Sequence, residues 1–465
     1  MKPTPLARVA AQCGGTLIAG SDSRTVDIVS TDTRGLVGGE LFVALAGEHF
    51  DAHDFIGTAT DAGAGAVMVS RSDLDDDVFG RAAVIRVKDT LVGLQKLAAA
   101  QRQILDPEVV GITGSSGKTS TKDMLRAVLS SRFEVSATLG NLNNHIGLPL
   151  SVLATTVDHQ ACVWEMGMNH RGEIAPLAAI AQPDVAVVTN IGVAHIEHLK
   201  TREEICAEKG DLIAALDSNG TAIFPDCDDF ADALSARAAG RVIRPRIGAG
   251  EVSAHNLQPT ANGTRFVLDC GGQRAEVELA VHGEHMVRNA LLAAATGYVY
   301  EIPLSEIAAS LGDFLLTGGR LEPVSVGDID FLNDSYNANP ESMAAALQTL
   351  ATVPCGGRRI AVLGRMGELG DIREAEHRKV GTMAGELGNI DFLFTVGEEA
   401  DWIRSAAGSD VPGQHFSDHK SCVAHLISIL SSGDRVLLKG SRAARMEEVL
   451  AIYRETVTPD FSPAN

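Results

Sequence analysis

A short run rich in glycine and serine, Gly114–Ser120, contains a lysine and a threonine that suit phosphate chemistry. The apolar stretch Val109–Thr113 before it is typical of a buried strand, and Ser120–Ser131 after it is typical of a helix. Backbone N–H groups in such a turn, together with the helix N-terminus, hold phosphate oxygens. Lys118 would reach the β- and γ-phosphates of a nucleotide, and the Thr119 hydroxyl would bind Mg²⁺. The predicted phosphate-binding residues are Gly114, Ser115, Ser116, Gly117, Lys118, Thr119 and Ser120.

This loop departs from the general phosphate-loop pattern in one respect. The pattern places a glycine five residues before Gly117, where this chain has Ile112, so the loop is a shortened variant. The alternative interpretation is a plain Gly/Ser turn with a surface lysine. The order of strand, loop and helix favours phosphate binding, because that order places the backbone donors at a helix N-terminus.

Two further polar residues follow later apolar stretches. Glu165 ends the stretch Cys162–Glu165, and His195 follows Asp184–Thr189 within Asn190–His195. Ligands of open parallel sheets bind at the carboxyl ends of the strands, which is also the edge of the phosphate loop. We therefore expect both side chains to face a bound metal ion. The alternatives are a solvated carboxylate at a strand end and a capping or core histidine.

A lysine falls on the apolar face of the next helix. Thr201 and Glu204 have the spacing of a capping box, so the helix should begin there. Ile205 and Leu212 mark its inward stripe, on which Lys209 also lies. Such a lysine usually extends its stem so that the ammonium reaches solvent. Burial would instead lower its pKa, and the neutral amine could add CO₂ to give a metal-binding carbamate. Spacing leaves both interpretations open.

Four more polar residues occupy turn and helix positions. Asn141 and Asn144 stand in a turn, where they either shape the backbone or bind a polar substrate. His285 and Asn289 are four residues apart, hence on one helix face. They either hold the edge of a planar heterocycle or form an ordinary surface pair.

The length of 465 residues predicts about three domains. We place their boundaries at residues 1–107, 108–316 and 317–465. In the second block strands alternate with helices, which predicts a parallel sheet covered by helices on both faces. Alternating segments at Thr264–Asp269 and Ala275–Leu279 predict a small antiparallel insert in that block.

The third block repeats the alternating pattern. Buried strands are predicted at Arg359–Leu363 and Arg435–Leu438, with helical stretches between them. Arg320 and Asp334 flank a further short strand near the start of this block. The pattern predicts a second, smaller doubly wound α/β domain.

The overall charge restricts the kinds of partner. The chain has 39 Lys and Arg against 60 Asp and Glu, a net charge of −21. A nucleic-acid binder needs a basic surface, and an anionic membrane would repel this chain, so neither partner is expected. The longest apolar runs are too short to span a bilayer. The seven cysteines form no C-x-x-C pair, and no secretory pattern opens the chain, so we expect a cytoplasmic protein.

Taken together, these motifs resemble the Mur ligases, the ATP-dependent amide-forming enzymes of peptidoglycan precursor synthesis. The stretches that carry the resemblance are Gly114–Ser120, Glu165–His170, Asn190–His195, Glu208–Gly210, Gly283–Asn289 and Gly319–Arg320. They follow the family's order over nearly the whole chain. The resemblance implies an α/β protein of three domains: a small UDP-binding domain, a central P-loop-type ATPase domain with a parallel sheet, and a C-terminal Rossmann-like domain.

The resemblance also implies an activity. Asp334–Pro340 and Leu363–Gly370 resemble the family member that joins D-alanyl-D-alanine to UDP-N-acetylmuramoyl-tripeptide through an acyl phosphate. A ligase that adds the third residue of the peptide, or one similar to folylpolyglutamate synthase, is the alternative. The implied cofactors are ATP and two Mg²⁺ ions, and the expected state is a monomer.

Roles for single residues follow from the same resemblance. Thr119 and Glu165 would hold one metal ion, and His195 with carbamylated Lys209 would hold the other. The implied catalytic residues are Lys118, Glu165, His195 and Lys209. Positions similar to adenine-, ribose- and phosphate-contacting residues are His285, Asn289, Arg320 and Asp334. Positions that would face the UDP-linked substrate are Thr33, Arg34, Asn141, Asn144, His170 and Arg171.

Overall fold

The computed structural model describes residues 1–47, 50–74, 76–314, 316, 318–409 and 411–458. Its helices are α1 Leu6–Cys13, α2 Ile56–Asp61, α3 Asp76–Arg81, α4 Thr90–Leu105, α5 Lys118–Leu129, α6 Gly147–Ala154, α7 Ile174–Ala181, α8 Ile196–Leu199, α9 Arg202–Ala214, α10 Ala231–Ser235, α11 Glu284–Val299, α12 Leu304–Asp313, α13 Pro340–Thr352, α14 Arg373–Glu386, α15 Asp401–Ala406, α16 His419–Ile429 and α17 Glu447–Val457. Its strands are β1 Thr4–Pro5, β2 Thr16–Ala19, β3 Thr25–Val26, β4 Val29–Ser30, β5 Leu41–Val43, β6 Ala66–Val69, β7 Ala83–Arg86, β8 Glu108–Thr113, β9 Val135–Ala137, β10 Ala161–Glu165, β11 Val185–Val188, β12 Thr221–Ile223, β13 Arg241–Ile243, β14 Arg246–Ile247, β15 Val252–Pro259, β16 Thr264–Cys270, β17 Gln273–Leu279, β18 Glu322–Val326, β19 Ile329–Asp334, β20 Arg359–Leu363, β21 Phe392–Val396, β22 His415–Phe416 and β23 Arg435–Lys439.

The central domain is built on a six-stranded sheet in the order β13-β12-β11-β8-β10-β9, and every neighbouring pair is parallel. Val109, Val110 and Ile112 of β8 are fully buried, as expected for strands covered on both faces. The parallel sheet predicted for this block is thereby confirmed. Because β8 lies between β11 and β10, the segments that follow these three strands meet at one edge.

Helices cover both faces of this sheet. Alternation along β10 sends Trp164 into the apolar cluster beneath α6, α7 and α9, and Val163 into the cluster beneath α5 and α11. Helix α5, which follows the phosphate loop, packs along α11. The phosphate loop is therefore attached to a rigid strand on one side and to a buried helix on the other.

The predicted antiparallel insert is confirmed and is larger than the two segments that suggested it. Strands β15, β16 and β17 pair antiparallel, and β14 adds to β15 in parallel. Helix α12 packs on β17 and links the insert to the α5 side of the central domain.

The other two domains have their own mixed sheets. The C-terminal sheet has the order β18-β19-β23-β20-β21-β22 and is parallel except for β18. The N-terminal sheet has the order β2-β7-β6-β5-β4 and is parallel except for β2. The α/β class and the three-domain organisation are confirmed, whereas the exact boundaries stay predictions, and residue 317 lies outside the described residues.

The domains contact one another in two different ways. One apolar cluster runs without a break from Leu94 and Leu97 of α4 to Trp164 of the central domain. Arg102 strengthens this junction, since its Nε donates to the Ala181 carbonyl at 2.8 Å. The C-terminal domain has separate clusters. Within the described ranges, no helix combines the length and the hydropathy needed to cross a bilayer.

Candidate active site

A cleft of about 720 Å³ lies between the carboxyl edge of the central sheet and the C-terminal domain. The residues proposed from sequence that line it are Ser115, Ser116, Gly117, Lys118, Thr119, Ser120, Asn141, Asn144, Glu165, His195, His285, Asn289, Arg320 and Asp334. These residues are far apart in the chain and come from two domains. The topology thus brings most of the proposed site into one cavity.

The phosphate loop has the backbone that its glycines predict. Gly114 and Gly117 have φ values of 152° and 77°, a region that glycine occupies without strain. A Cβ on Gly117 would lie 2.9 Å from Asn289 Oδ1 on α11, so the loop approaches that helix closely. Helix α5 begins at Lys118, whose Nζ donates to the Gly114 carbonyl at 2.6 Å. Burial lowers the pKa of Lys118, and the nearby Glu165 carboxylate opposes that shift.

A side chain from the loop after β11 braces the phosphate loop. Asn190 Oδ1 accepts hydrogen bonds from Ser115 N at 3.1 Å and Ser116 N at 3.0 Å. Asn190 Nδ2 in turn donates to Ser116 Oγ at 2.7 Å. The N–H groups of Ser115 and Ser116, which are suited to bind a phosphate, therefore donate to the Asn190 amide oxygen instead. A phosphate group would compete with that amide for them.

The proposed Thr119 and Glu165 pair is in direct contact. Thr119 Oγ1 donates to Glu165 Oε2 at 2.9 Å, and the glutamate is only 2% exposed. Asn143 Nδ2 donates to the second oxygen, Oε1, at 2.8 Å. A hydroxyl and a carboxylate in this arrangement are oxygen donors of the kind that Mg²⁺ prefers.

His195 lies at the border of the two domains. It adopts a left-handed backbone conformation with φ of 66°. Its Nδ1 lies 2.5 Å from Glu368 Oε2, which comes from the C-terminal domain. Burial lowers the pKa of His195, although the Glu368 carboxylate acts in the opposite direction. The same contact lowers the pKa of Glu368.

Lys209 is buried, with only 1% of its surface exposed. No hydrogen bond or ion pair reaches its Nζ from the residues that the structure describes. Burial, followed by the charge of Lys118, lowers the pKa of Lys209 well below its ordinary value. Of the two interpretations of this lysine, the structure therefore favours the buried amine. Its neighbour Glu208 anchors the helix by accepting the N–H groups of Gly172, Glu173 and Ile174 at 2.7–2.8 Å.

The remaining proposed nucleotide contacts line the same cleft. Asp334 Oδ2 lies 2.7 Å from Lys439 Nζ, and burial still raises the pKa of this aspartate. Burial beside Lys439 lowers the pKa of His285 to about 4, so the ring is neutral. Arg320 stacks on Tyr336 at 3.9 Å and donates through Nη2 to Thr119 Oγ1 at 3.2 Å. A planar, positively charged platform thus faces the phosphate loop.

Comparison with known proteins finds a match in each of the three domains. Three family models match: "Mur ligase family, catalytic domain" over residues 25–102, "Mur ligase middle domain" over 112–297 and "Mur ligase, glutamate ligase domain" over 319–442. A relative from Escherichia coli K12 is 40% identical over 440 residues, which is 93% of this chain and 95% of the relative. The chain belongs to the Mur ligase family.

Individual relatives of this Mur ligase carry one name. The Escherichia coli relative and one from Bacillus subtilis 168 are each named UDP-N-acetylmuramoyl-tripeptide--D-alanyl-D-alanine ligase. The Bacillus subtilis relative is 38% identical over 91% of this chain and 92% of its own length. A crystal structure of MurF from Acinetobacter baumannii superimposes with a TM-score of 0.90 at 32% identity, covering 98% of this chain and 99% of that chain.

Two other solved structures help to place this Mur ligase. A Thermotoga maritima MurF ligase in complex with ADP has a TM-score of 0.83 at 28% identity and covers 94% of this chain and 99% of that chain. A Mycobacterium tuberculosis folylpolyglutamate synthase has a TM-score of 0.61 at 17% identity and covers 79% of this chain and 95% of that chain, which shows the fold alone. The similarity to proteins named as this ligase or as MurF therefore covers 91–98% of this chain, and those proteins have a comparable length.

Some proposed residues of this Mur ligase lie outside the lining of the cleft. Thr33 and Arg34 form a short 3₁₀ helix at the surface, where Arg34 pairs with Asp32 through Nη2 at 2.6 Å. His170 Nδ1 lies 3.3 Å from Glu173 Oε1 and Arg171 pairs with Glu204, both on the surface near the cleft. Their roles with the UDP-linked substrate stay predictions.

The asparagine turn contributes in a way that spacing did not reveal. Asn144 Oδ1 accepts the N–H groups of Ile146 and Gly147 at 3.1 and 2.8 Å, which is turn chemistry at the start of α6. Asn141 is exposed on the cleft. Asn143, between them, is the residue that contacts Glu165, and the sequence reasoning did not select it.

Four other contributors received no role of their own from the sequence, although three of them lie in stretches that carried the resemblance: Asn190, Glu368, Tyr336 and Lys439. Lys439 ends β23, so the strand-end argument that selected Glu165 applies to it equally. Glu368 lies within the stretch Leu363–Gly370 that carried the resemblance, but its contact with His195 depends on the docking of two domains. Within the described residues, no three or more His, Cys, Asp or Glu side chains converge as a metal site. The two metal positions predicted from the sequence name two side chains each, Thr119 with Glu165 and His195 with Lys209, and they stay predictions.

Proposed function

We propose that this Mur ligase joins D-alanyl-D-alanine to UDP-N-acetylmuramoyl-tripeptide with the cleavage of ATP to ADP and phosphate. The observation that carries the proposal is similarity over 91–95% of the chain to relatives named for this reaction, at 34–40% identity. The phosphate loop and Glu165, which line the cleft, and the buried Lys209, on which the charge of Lys118 acts, support the proposal.

Two Mg²⁺ ions fit the residues present. Thr119 and Glu165 would hold one ion, since their oxygens already face each other at 2.9 Å. His195 and Lys209 would hold the other, with Lys209 as its carbamate, because a buried neutral amine is the form that adds CO₂. Bound Mg²⁺ would neutralise charge on the phosphoryl group that is transferred.

The chain's own residues orient the reacting groups. The loop N–H groups, Lys118 and Arg320 would hold the γ-phosphate in line with the free carboxylate of the tripeptide. A carboxylate oxygen attacks phosphorus, ADP leaves, and an acyl phosphate forms. The amino group of D-alanyl-D-alanine then attacks the acyl carbon, gives up a proton, and phosphate leaves as the amide bond forms. His285, Asn289 and Asp334 would hold the adenosine part of ATP.

The UDP end of the substrate would lie outside this cleft. We assign it to Thr33 and Arg34 of the N-terminal domain, with Asn141, His170 and Arg171 along the muramoyl part. The net charge of −21 opposes two polyanionic substrates, so these local donors must provide the binding energy. Because ATP and UDP-linked sugars are cytoplasmic metabolites, we place the reaction in the cytoplasm, and we expect a monomer.

The test is phosphate release in the presence of ATP, Mg²⁺ and UDP-N-acetylmuramoyl-tripeptide. Release that requires D-alanyl-D-alanine, with one amide product per phosphate, supports the proposal. Release with a single amino acid and UDP-N-acetylmuramoyl-dipeptide would instead identify a ligase that adds the third residue. A Lys118→Ala variant is the inactive control, because it lacks the ammonium that the γ-phosphate needs.

A further inference from the structure

A carboxylate from the C-terminal domain reaches into the loop that follows β11. Glu341 lies in the first turn of α13, and its Oε1 accepts a hydrogen bond from Val193 N at 2.7 Å. The start of α13 is rigid, since Asn339 and Ser342 cap it reciprocally at 2.9 and 3.0 Å. The Glu341 carboxylate is therefore presented from a fixed helix end to the backbone of the central domain.

The residue before Val193 has no side chain, and the carboxylate occupies the space where one would be. A Cβ on Gly192 would lie 2.5 Å from both Cδ and Oε1 of Glu341, closer than real Cβ contacts. The three nearest atoms all belong to Glu341. Gly192 is not among the residues with positive φ, so its backbone conformation does not require glycine. The close approach of Glu341 is the reason for glycine here.

The same loop is tied to the phosphate loop. Gly192 N donates to Ser115 Oγ at 2.9 Å, and Asn190 Oδ1 accepts the N–H groups of Ser115 and Ser116. From the other side, Asn339 Nδ2 donates to the Ser115 carbonyl at 3.3 Å. Glu341 thus attaches the first turn of α13 to the loop after β11, and Asn339 attaches it to the phosphate loop.

We propose that Glu341 is a positioning residue that holds the C-terminal domain against the phosphate loop. Gly192 lacks a side chain and so leaves the space that the Glu341 carboxylate occupies. In this position Arg320 reaches Thr119 at 3.2 Å. The second oxygen of Glu341 is buried without a hydrogen-bond partner among the described residues. The desolvation cost of that oxygen offsets part of what the hydrogen bond to Val193 contributes, so the contact is weaker than that of a fully bonded carboxylate. The inference rests on the proposed function only for the step that it assists.

The test compares Gly192→Ala, Glu341→Ala, Glu341→Gln and the double variant Gly192→Ala/Glu341→Ala. The added methyl must displace the Glu341 carboxylate, which is the end of a flexible side chain, so the cost falls on the domain contact rather than on folding. We expect Gly192→Ala and Glu341→Ala each to lower kcat about tenfold, the order expected for one charge-assisted hydrogen bond. The double variant should match Glu341→Ala alone, and Glu341→Gln should lose less activity than Glu341→Ala, because its amide oxygen still accepts from Val193 N although without the charge.

Domain closure is measured separately, as the distance between spin labels on the central and C-terminal domains with a non-hydrolysable ATP analogue. In the variants that lose activity, the distance between the labels should shift towards that of the open form. The control is Gly57→Ala, at an exposed site with open space around it, and it should behave as the wild type. Multiplicative losses in the double variant, or unchanged closure in Gly192→Ala and Glu341→Ala, would overturn the proposal. Normal closure of the wild type without ligase activity would refute the proposed function and not the clamp.

Discussion

Thr119 and Glu165 touch across the edge of the central sheet, with the threonine hydroxyl donating to the carboxylate at 2.9 Å. One residue follows the phosphate-loop lysine and the other ends the neighbouring strand β10. The pair is therefore set by the parallel register of β8 and β10, in which Glu165 lies opposite Ile112. The two residues proposed as Mg²⁺ ligands are therefore brought together by the backbone of the sheet itself.

Replacing Glu165 with Gln should lower kcat by roughly 100-fold, because a neutral amide binds Mg²⁺ far less well than a carboxylate. Activity should recover in part at high Mg²⁺, measured as phosphate release against metal concentration. Thr119→Ser, which retains the hydroxyl, is the matched control and should remain active. A Glu165→Gln enzyme with wild-type Mg²⁺ dependence would show that this pair is not a metal site.

Asn143 supports the same carboxylate through Oε1 at 2.8 Å. Asn143→Ala should therefore reduce metal affinity or activity by about 10-fold to 100-fold, as is usual for residues that orient a ligand. The same assay at several Mg²⁺ concentrations measures the effect. Asn144→Ala serves for comparison, since among the described residues that side chain hydrogen-bonds to the turn at the start of α6. Equal metal dependence of the two variants would contradict an orienting role.

Lys209→Ala should abolish turnover, and excess bicarbonate should not restore it, because alanine has no amine to carry a carbamate. Carbon-13 NMR with labelled bicarbonate should show a carbamate resonance in the wild type that is absent from the variant. Lys420→Ala removes an exposed lysine and provides the control. Full activity of Lys209→Ala would disprove the carbamate role.

Arg320→Lys should raise the KM for ATP about tenfold, even though the positive charge is retained. The guanidinium stacks on Tyr336 at 3.9 Å and reaches Thr119 at 3.2 Å, whereas an ammonium cannot make a planar stack. Steady-state kinetics with varied ATP measure the change. Tyr336→Phe keeps the ring and should leave the KM nearly unchanged, so a large effect there would argue against stacking as the cause.

The free energy of unfolding of the enzyme should decrease as the pH is lowered, and His285 should account for part of this decrease. Its pKa is about 4 in the folded protein, owing to burial and to Lys439, against about 6.5 in an unfolded chain. Between these values the unfolded chain binds a proton that the folded chain does not, so the free energy of unfolding decreases as pH falls below 6.5. His285→Asn should remove at most about 2 kcal/mol of the decline between pH 7 and pH 5.

Urea denaturation at the two pH values measures this difference. His145→Asn, at an exposed position, should leave the decline as it is in the wild type. If His285→Asn shows the same dependence on pH as the wild type, the ring is not the group that takes up the proton on unfolding.

The sequence was most informative where periodicity and strand ends coincide. The predicted strands Arg359–Leu363 and Cys162–Glu165 match β20 and β10 closely, because continuous apolar runs mark strands that are buried on both faces. The start of α9 was also predicted, since Thr201 caps it by accepting from Glu204 N. Local chemistry determines such features.

Features that depend on tertiary contact could not be read in the same way. Strands β1 and β3 have two residues each, and their pairing is fixed by neighbours rather than by propensity. Glu341 meets Val193 over a separation of 148 residues, and Glu368 reaches His195 from another domain. No periodicity in the sequence predicts these two contacts. The glycine at position 192 is the one local sign of the Glu341 contact, because a side chain there would clash with the carboxylate.

The apolar cluster that joins α4 to Trp164 has a consequence for how the molecule unfolds. Because the N-terminal and central domains share one core, heat should melt them together as a single cooperative unit. The C-terminal domain has its own two clusters, touched from the central domain by Val193 and Ile196 among the described side chains, and should melt in a transition of its own. A nucleotide bound between the two units would bring the two melting temperatures closer together. Differential scanning calorimetry with and without an ATP analogue would therefore show two separate transitions without the ligand and more closely spaced ones with it.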